Sequence, residues 1–592
     1  MSLLLARPPA ATPPPPSAAR RPRRALAAGV VLAALAIPAA GRQLPTFSET
    51  LEVRLLEVDV AVTDRRGGPV TGLEREDFRL RLDGAITPPD YFAEVGAGSG
   101  EPLSVLLLVD SRTLRAASRE RAFAELLPEL GSILALPSAR VRIVEHDGAV
   151  RLVEDWTRDA DALREALARL AAGRSFGEAV DARERQAQVT MREMLANMRG
   201  DPRDRIVAMA SIDGLLGELR SHAYQSLRET ERHLLGLQTV VRSLALVPGR
   251  KLVVYLTEGW AVRPADGALQ QMQSALSGTT SRDNDATSAR VSQTDVSRTP
   301  TSLGEGFMSR DVTHEMLRGR QAVAGLDASQ SLTRLIALAN AYRVRFFPLM
   351  PAPGDAAAAD ARAKGRGELE VSDLREGLAR LAEETGGLAS LSETALSGAL
   401  RRVAADAAHH YSLAVTAPSG DAAIREVQVE VGRRRAGARH PTLYLPRTVE
   451  ARLVDLTLAG MATGVGANPH RLELEPLGET AAGDGDREVQ LRLVFPIGGI
   501  GLVEAAGVHR ASAQVAVVVL EGDGRVREAQ HLQVPLQIPA GDLEQAKVSF
   551  YQAAIQLRLP AGTHRVGLGL WDAVTQTSSR VVREIEVAAE TG

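Results

Sequence analysis

The sequence predicts an α/β chain: a mainly parallel sheet with helices on both faces, an N-terminal β unit before it and a C-terminal β-sandwich after it. Three observations carry that expectation. The runs "LSVLLLVD" (Leu103–Asp110) and "LVVYL" (Leu252–Leu256) are continuously apolar up to their ends, as strands buried on both faces are. Amphipathic helical stretches alternate with such runs, which implies crossover connections and parallel strands. After His410 the helical period gives way to short strands separated by Gly, Pro and Asp turns, a spacing that suits a sandwich.

Taken in order, residues 1–41 read as an export signal. The basic cluster "RRPRR" (Arg20–Arg24) precedes "ALAAGVVLAALAIPAAG", an apolar segment too short and Ala-rich for a membrane span, with small residues that suit cleavage near Gly41. An uncleaved anchor and a twin-arginine signal are the alternatives. No other apolar run approaches spanning length, so the mature chain, beginning near Arg42, is expected in the periplasm or outside the cell with no membrane span.

Residues 45–98 form the N-terminal β unit: "LEVRLLEVDVAVTD" alternates at period two, "RRGGPV" supplies a turn, and "DFRLRLDG" alternates again. The α/β region covers 99–415. Its first strand leads into a helix for which Ser118 is the expected cap, and "ARVRIVEHDGAVRLVEDW" reads as a hairpin with His146 at its turn. "DADALREALARLAA" carries Leu163, Leu167 and Leu170 on one stripe, and a long helical region spans roughly 180–246. Between about 265 and 329 the chain is polar without period, the composition of a mobile loop. Strands in 416–447 are able to complete the N-terminal unit, and 449–592 is the sandwich, expected to lack helical period.

Composition narrows the function. The 592 residues are 45% hydrophobic and 24% charged, with a formal net charge of -3 and interspersed signs, which gives no reason to expect nucleic acid, whose phosphates need a concentrated positive surface. Aromatic residues are 3%, too few for base-stacking platforms, and there are no cysteines, which removes disulfides, thiolate metal sites and cysteine nucleophiles. No HExxH, Gly-x-Ser-x-Gly or phosphate-loop motif is present. "GGIGLVEAAG" (Gly498–Gly507) has Glu504 where a nucleotide fingerprint needs its third glycine. His409 and His410 are adjacent and therefore point in different directions on a regular element, a poor arrangement for chelating one ion. What remains is a pair of strand ends, Asp110 and Thr257-Glu258-Gly259, because acids at the carboxyl ends of parallel strands can converge.

The succession "VDVAVTDRRGGPVTGLEREDFRLRLDG", "PLSVLLLVDSR", "GRKLVVYLTEGW", "LAEETGGLASL" and "AADAAHHYSLAVTAP" resembles the bacterial family of exported proteins with a von Willebrand factor type A (VWFA)-related domain. The likeness spans most of Leu51 to Pro446. It implies a Rossmann-like A domain whose sheet top carries a metal-ion-dependent adhesion site, where an Asp-x-Ser-x-Ser loop, a threonine and a Thr-Asp-Gly turn bind magnesium and a ligand carboxylate completes the octahedron. Carried onto this chain, Asp110 matches the first acid, but Arg112 and Leu114 stand at the two serines, and Glu258 replaces the aspartate. Neither Arg112 nor Leu114 offers a lone pair. A guanidinium about 4 Å from a divalent ion is repelled by about 2–8 kcal/mol at effective dielectrics from about 80 down to 20. A one-residue slip brings Ser111 and Thr113 into use. The degenerate metal set is thus Asp110, Glu258, Ser111 and Thr113, with Arg112 and Thr257 on the ligand-binding rim. Arg112 is expected either to pair with Asp110 or Glu258 or to point to solvent.

The functional expectation is an exported, non-enzymatic protein-interaction or adhesion protein with a degenerate adhesion site, no cofactor, and a protein partner. An accessory subunit of a secreted enzyme or envelope transport complex, and a magnesium-dependent binder of an acidic protein ligand, are the alternatives.

Overall fold

The computed structural model describes residues 55–177, 212–263, 325–351, 368–416, 423–463 and 467–588, apart from single positions and short breaks within those spans. The export-signal reading at 1–41 and nearly all of the polar 265–329 segment lie outside the described residues. The last few residues of that segment are described, and Leu326 and Ala328 are buried.

In chain order the N-terminal unit contributes β1 (Leu55–Thr63), β2 (Phe78–Leu82), β3 (Ala85–Ile86) and β4 (Tyr91–Gly96). There follow β5 (Leu103–Asp110), α1 (Ala116–Leu134), β6 (Ala139–His146), β7 (Val150–Thr157), α2 (Ala160–Ala172), α3 (Ile212–Ser243) and β8 (Arg250–Leu256). Next come α4 (Ser329–Ala341), β9 (Val344–Pro351), α5 (Glu368–Glu384), β10 (Ser390–Glu393), α6 (Leu396–Ala408) and β11 (His409–Thr416). β12 (Arg425–Val431), β13 (Gly437–Arg439), β14 (Leu443–Tyr444) and α7 (Val449–Thr463) lead to the C-terminal strands. These are β15 (Glu473–Gly483), β16 (Asp486–Pro496), β17 (Val503–Ala505), β18 (Val508–Leu520), β19 (Val526–Pro539), β20 (Phe550–Pro560), β21 (Gly562–Asp572) and β22 (Thr577–Val587).

The chain-wide expectation of a Rossmann-like, mainly parallel α/β protein is corrected by this inventory. Among the described residues, strand at 43% exceeds helix at 33%. Of the five sheets among the described residues, four are antiparallel: β13-β1-β11-β4, β14-β12-β2-β3, β15-β16-β20, and β17-β18-β21-β22 with β19 also on β18. The fifth, β10-β9-β8-β5-β6-β7, pairs in parallel except for the antiparallel β6/β7 hairpin. The continuously apolar runs all belong to one sheet. Short alternating strands, each a weak signal alone, supply most of the strand content.

The physics of each part is local. In β1, Leu56, Val58, Val60 and Val62 face a core shared with Phe78, Leu80, Tyr411, Leu413 and Val427, while Asp59 points the other way. In β5 every residue is buried: Val105, Leu107 and Val109 enter one apolar cluster and Leu106 and Leu108 another. α1 begins at Ala116 after Arg115, so Ser118 is a buried residue of its first turn instead of its cap. Asp159 does cap α2, accepting from Asp161 N at 2.8 Å. α5 ends where Gly386 turns at φ +74°, a conformation that favours glycine.

Residues 449–463 are helical, against the expectation that the chain from 449 lacks helical period. α7 is apolar nearly all round because it is wedged between α3 and the outer face of β18 and β21. Gly567 and Gly569 on β21 make the room. A Cβ at Gly569 would stand 2.2 Å from Thr457 Oγ1, and one at Gly567 2.4 Å from Met461 Sδ. Among the described residues no helix is long and apolar enough to cross a membrane.

Candidate functional site

Asp110 ends β5 and is fully buried, at 0% exposure. Strand register decides what surrounds it. Asp110 lies beside His146 on β6, and one residue earlier Val109 lies beside Leu256 on β8, which places Thr257 next to Asp110. Leu108, Val144 and Tyr255 share one apolar cluster with Leu234 and Leu237 of α3, so the same face brings Asp110 and His146 against that helix and its His233.

The carboxylate is saturated with hydrogen-bond donors. Its Oδ2 accepts from Thr113 Oγ1 at 2.7 Å, Thr257 Oγ1 at 2.8 Å and the Tyr255 hydroxyl at 3.0 Å. Its Oδ1 accepts from the Arg112 and Thr113 amides at 3.2 and 3.3 Å. The Thr113 and Thr257 hydroxyls also meet at 2.9 Å, and the Glu258 amide donates to Thr113 Oγ1 at 3.2 Å.

The other sequence-derived site residues separate. Ser111 turns away and donates to Glu145 Oε1 at 2.6 Å. Leu114 belongs to the apolar core. Arg112 pairs with neither Asp110 nor Glu258: its guanidinium lies 3.3 Å from Glu229 on α3. Glu258 is held instead by Arg115, with Nε 2.7 Å from Oε2. Thr257, assigned to a rim, is wholly buried. So of the expected set, Asp110, Thr113 and Thr257 converge, while Ser111, Arg112 and Glu258 take other partners.

Magnesium does not fit these residues. It needs close octahedral oxygen ligands and keeps several waters. Here a single carboxylate, sealed from solvent, is surrounded by hydroxyls, amides and imidazoles, so the oxygen octahedron with its waters is missing and a ligand carboxylate has no open approach.

Two histidines missing from the sequence-derived set complete the centre. His146 Nδ1 stands 3.8 Å from Asp110 Oδ1, and His233 Nε2 stands 3.6 Å from Asp110 Oδ2. Their rings meet edge to face with centroids 4.6 Å apart, and both are buried. His233 Nε2 shares a 2.7 Å hydrogen bond with the Tyr255 hydroxyl. Burial pushes the His233 imidazole down to about 3 against the attraction of Asp110, so its ring is neutral at neutral pH. Burial pushes the Asp110 carboxyl up, but its histidine neighbours and the Thr113 hydroxyl outweigh it and hold the acid below the usual carboxylate range. Burial also raises the Tyr255 phenol well above its ordinary value, with Asp110 adding to the effect. His146 sat in an expected turn and His233 in a charged helix, "RETERHLLGL", so neither drew notice. Gly236, one helical turn beyond His233, was the available signal.

The adjacent pair His409 and His410 diverges. His409 Nε2 meets Glu94 at 2.7 Å, whereas His410 is buried with Nδ1 2.8 Å from Arg250. "GGIGLVEAAG" forms a short turn and the β17/β18 hairpin, with no crossover helix.

No family model matches the chain, and no curated protein matches it. Among solved structures, the PilB minor pilin from Streptococcus sanguinis aligns with 52% of this chain and 60% of its own, at 9% identity and a TM-score of 0.21. The vWF domain of the type V pili tip protein Mfa5 from Porphyromonas gingivalis aligns over 27% of this chain and 38% of its own, at 14% identity and a TM-score of 0.12. A Bacteroides uniformis beta-glucuronidase aligns over 30% and 19%, at 12% identity and a TM-score of 0.14. The chain therefore spans less than two thirds of each of these neighbours, and likenesses this faint carry no argument about function.

Proposed function

We propose that the chain is an exported, non-enzymatic protein-interaction or adhesion protein that engages its partner without a magnesium-dependent adhesion site. The observation that supports this most is the sealed Asp110 carboxylate, whose Oδ2 already accepts three hydroxyl hydrogen bonds. A metal-dependent site for an acidic ligand needs the opposite, an open coordination position at the sheet's edge. The ordered motifs from Leu51 to Pro446 support membership among bacterial exported proteins with a VWFA-related domain, and the basic cluster and apolar run before Gly41 support export. The lack of hydrolase and phosphate-loop motifs supports a binding role over catalysis.

The test is recovery of the tagged chain from envelope fractions, cross-linked and purified with or without millimolar magnesium. The same partner should be retained in both. A partner released when magnesium is left out and recaptured when it is restored would contradict the reading.

A further inference from the structure

We propose that Asp110, His146 and His233 form a buried site for a divalent transition metal, with zinc as the probe ion, that pins strands β5 and β6 to helix α3. This goes beyond the functional reading above and does not depend on it.

The geometry is that of a two-histidine, one-carboxylate set. One ligand atom from each of the three residues lies within 4.8 Å of the others. Zinc bonds of about 2.0–2.2 Å in a tetrahedral site place ligand atoms about 3.3–3.6 Å apart. His146 Nδ1 stands 3.8 Å from Asp110 Oδ1 and His233 Nε2 stands 3.6 Å from Asp110 Oδ2, each near that edge length but on different oxygens of the one carboxylate. Binding an ion therefore requires a small rotation of the carboxylate and the imidazoles toward a common centre. The Tyr255 hydroxyl, 2.7 Å from His233 Nε2 and 3.0 Å from Asp110 Oδ2, borders the same centre.

The donor chemistry favours a borderline metal over magnesium. Imidazole suits zinc, copper, iron and nickel, whereas magnesium demands oxygen. Both histidines are at least nine-tenths buried, at 1% and 2% exposure, yet His146 Nδ1, His146 Nε2 and His233 Nδ1 have no hydrogen-bond partner. Buried polar atoms are nearly always satisfied, so the unpartnered His146 Nδ1 facing Asp110 Oδ1, with His233 Nε2 on the other oxygen, points to a ligand. Gly236 adds an independent sign. Glycine weakens a helix interior, but here a Cβ would stand 2.2 Å from His146 Nε2, so the missing side chain is what lets the ring reach the centre. The Arg112 guanidinium near the site is offset by Glu229 at 3.3 Å.

The experiment uses the full chain, stripped with a chelator, dialysed, and titrated with zinc and with cobalt(II). One zinc per chain should bind and raise the melting temperature. Cobalt should give visible d–d absorption, and X-ray absorption of the zinc form should show two imidazole nitrogens with oxygen. His146→Gln and His233→Gln should lose the stoichiometric ion. Gly236→Ala, which touches no ligand atom of the ion, should weaken binding by about 10–100-fold, as loss of an orienting contact does. Zinc that fails to bind, or that binds undiminished in both histidine variants, overturns the proposal. Should the variants misfold, an absorption spectrum of the unaltered chain with fewer than two imidazoles overturns it equally.

Discussion

Two aspartates are buried at opposite ends of the same six-stranded sheet, and they are stabilised by different means. Asp59, reaching from β1 to the amino ends of the strands, is surrounded by cations. Arg343 Nη2 lies 2.9 Å from its Oδ1, Arg250 Nε 3.8 Å from its Oδ2, and Arg345 donates to its backbone carbonyl. Burial raises the Asp59 carboxyl, and the three arginines outweigh it, holding the acid well below the usual range. Asp110, at the carboxyl ends, has hydroxyls, amides and imidazoles around it and no guanidinium within ion-pair reach among the described residues. The first is a charge-compensated clamp between the N-terminal unit and the sheet. The second is a carboxylate whose surroundings supply dipoles and lone pairs, which is why it invites the question of a cation.

The largest effect should follow from breaking the clamp. Asp59→Ala leaves Arg343, Arg345 and Arg250 without their shared anion and should destabilise the chain by about 3–5 kcal/mol in denaturant titration. An Asp59→Ala loss no larger than that of Asp110→Asn would erase the distinction between the two ends.

Lys251 extends the comparison to pH. It is buried beside the clamp, its ammonium donating to the Tyr342 carbonyl at 2.7 Å. Burial, then the charges of Arg343 and Arg452, push its pKa from 10.5 down to about 7. Between those values the unfolded chain holds a proton that the folded chain lacks, so this residue makes stability rise with pH, by at most about 1.4 kcal/mol per pH unit. Below pH 7 its contribution is flat. The difference between the wild type and Lys251→Met, followed by denaturation from pH 7 to 10, should show that slope, and a flat difference would place the ammonium in solvent.

At the other end the effects are smaller. Asp110→Asn keeps the shape but removes acceptors from three hydroxyls, a loss of about 1–3 kcal/mol by thermal or chemical unfolding. Arg112→Ala breaks only its partly exposed contact with Glu229 and should cost about 0–1 kcal/mol. A larger Arg112 effect would mean that the guanidinium does occupy the space a metal would fill.

Parts of this arrangement were legible in the sequence. "LSVLLLVD" announced a strand buried on both faces and ending in an acid, because continuous apolarity leaves no exposed face. The same reasoning located Thr257 at the end of β8 but put it on a rim, whereas it is buried against Asp110. The histidines were not legible, because their position depends on which β6 residue lies beside Asp110 and on which helix face covers Tyr255, both long-range facts. α7 was missed for a related reason: a helix buried on two sides loses the polar stripe that reveals its period. The apolar run located Asp110 at the strand's end but could not show that Arg112 would turn to Glu229 and leave Thr113 to close the centre.

The most direct test of the sealed centre is calorimetric titration of the full chain with magnesium, paired with a melting curve. The account predicts no heat of binding and no change in melting temperature, since only an ion that binds the native state raises it. A magnesium affinity of millimolar or tighter, abolished by Asp110→Ala, would contradict it.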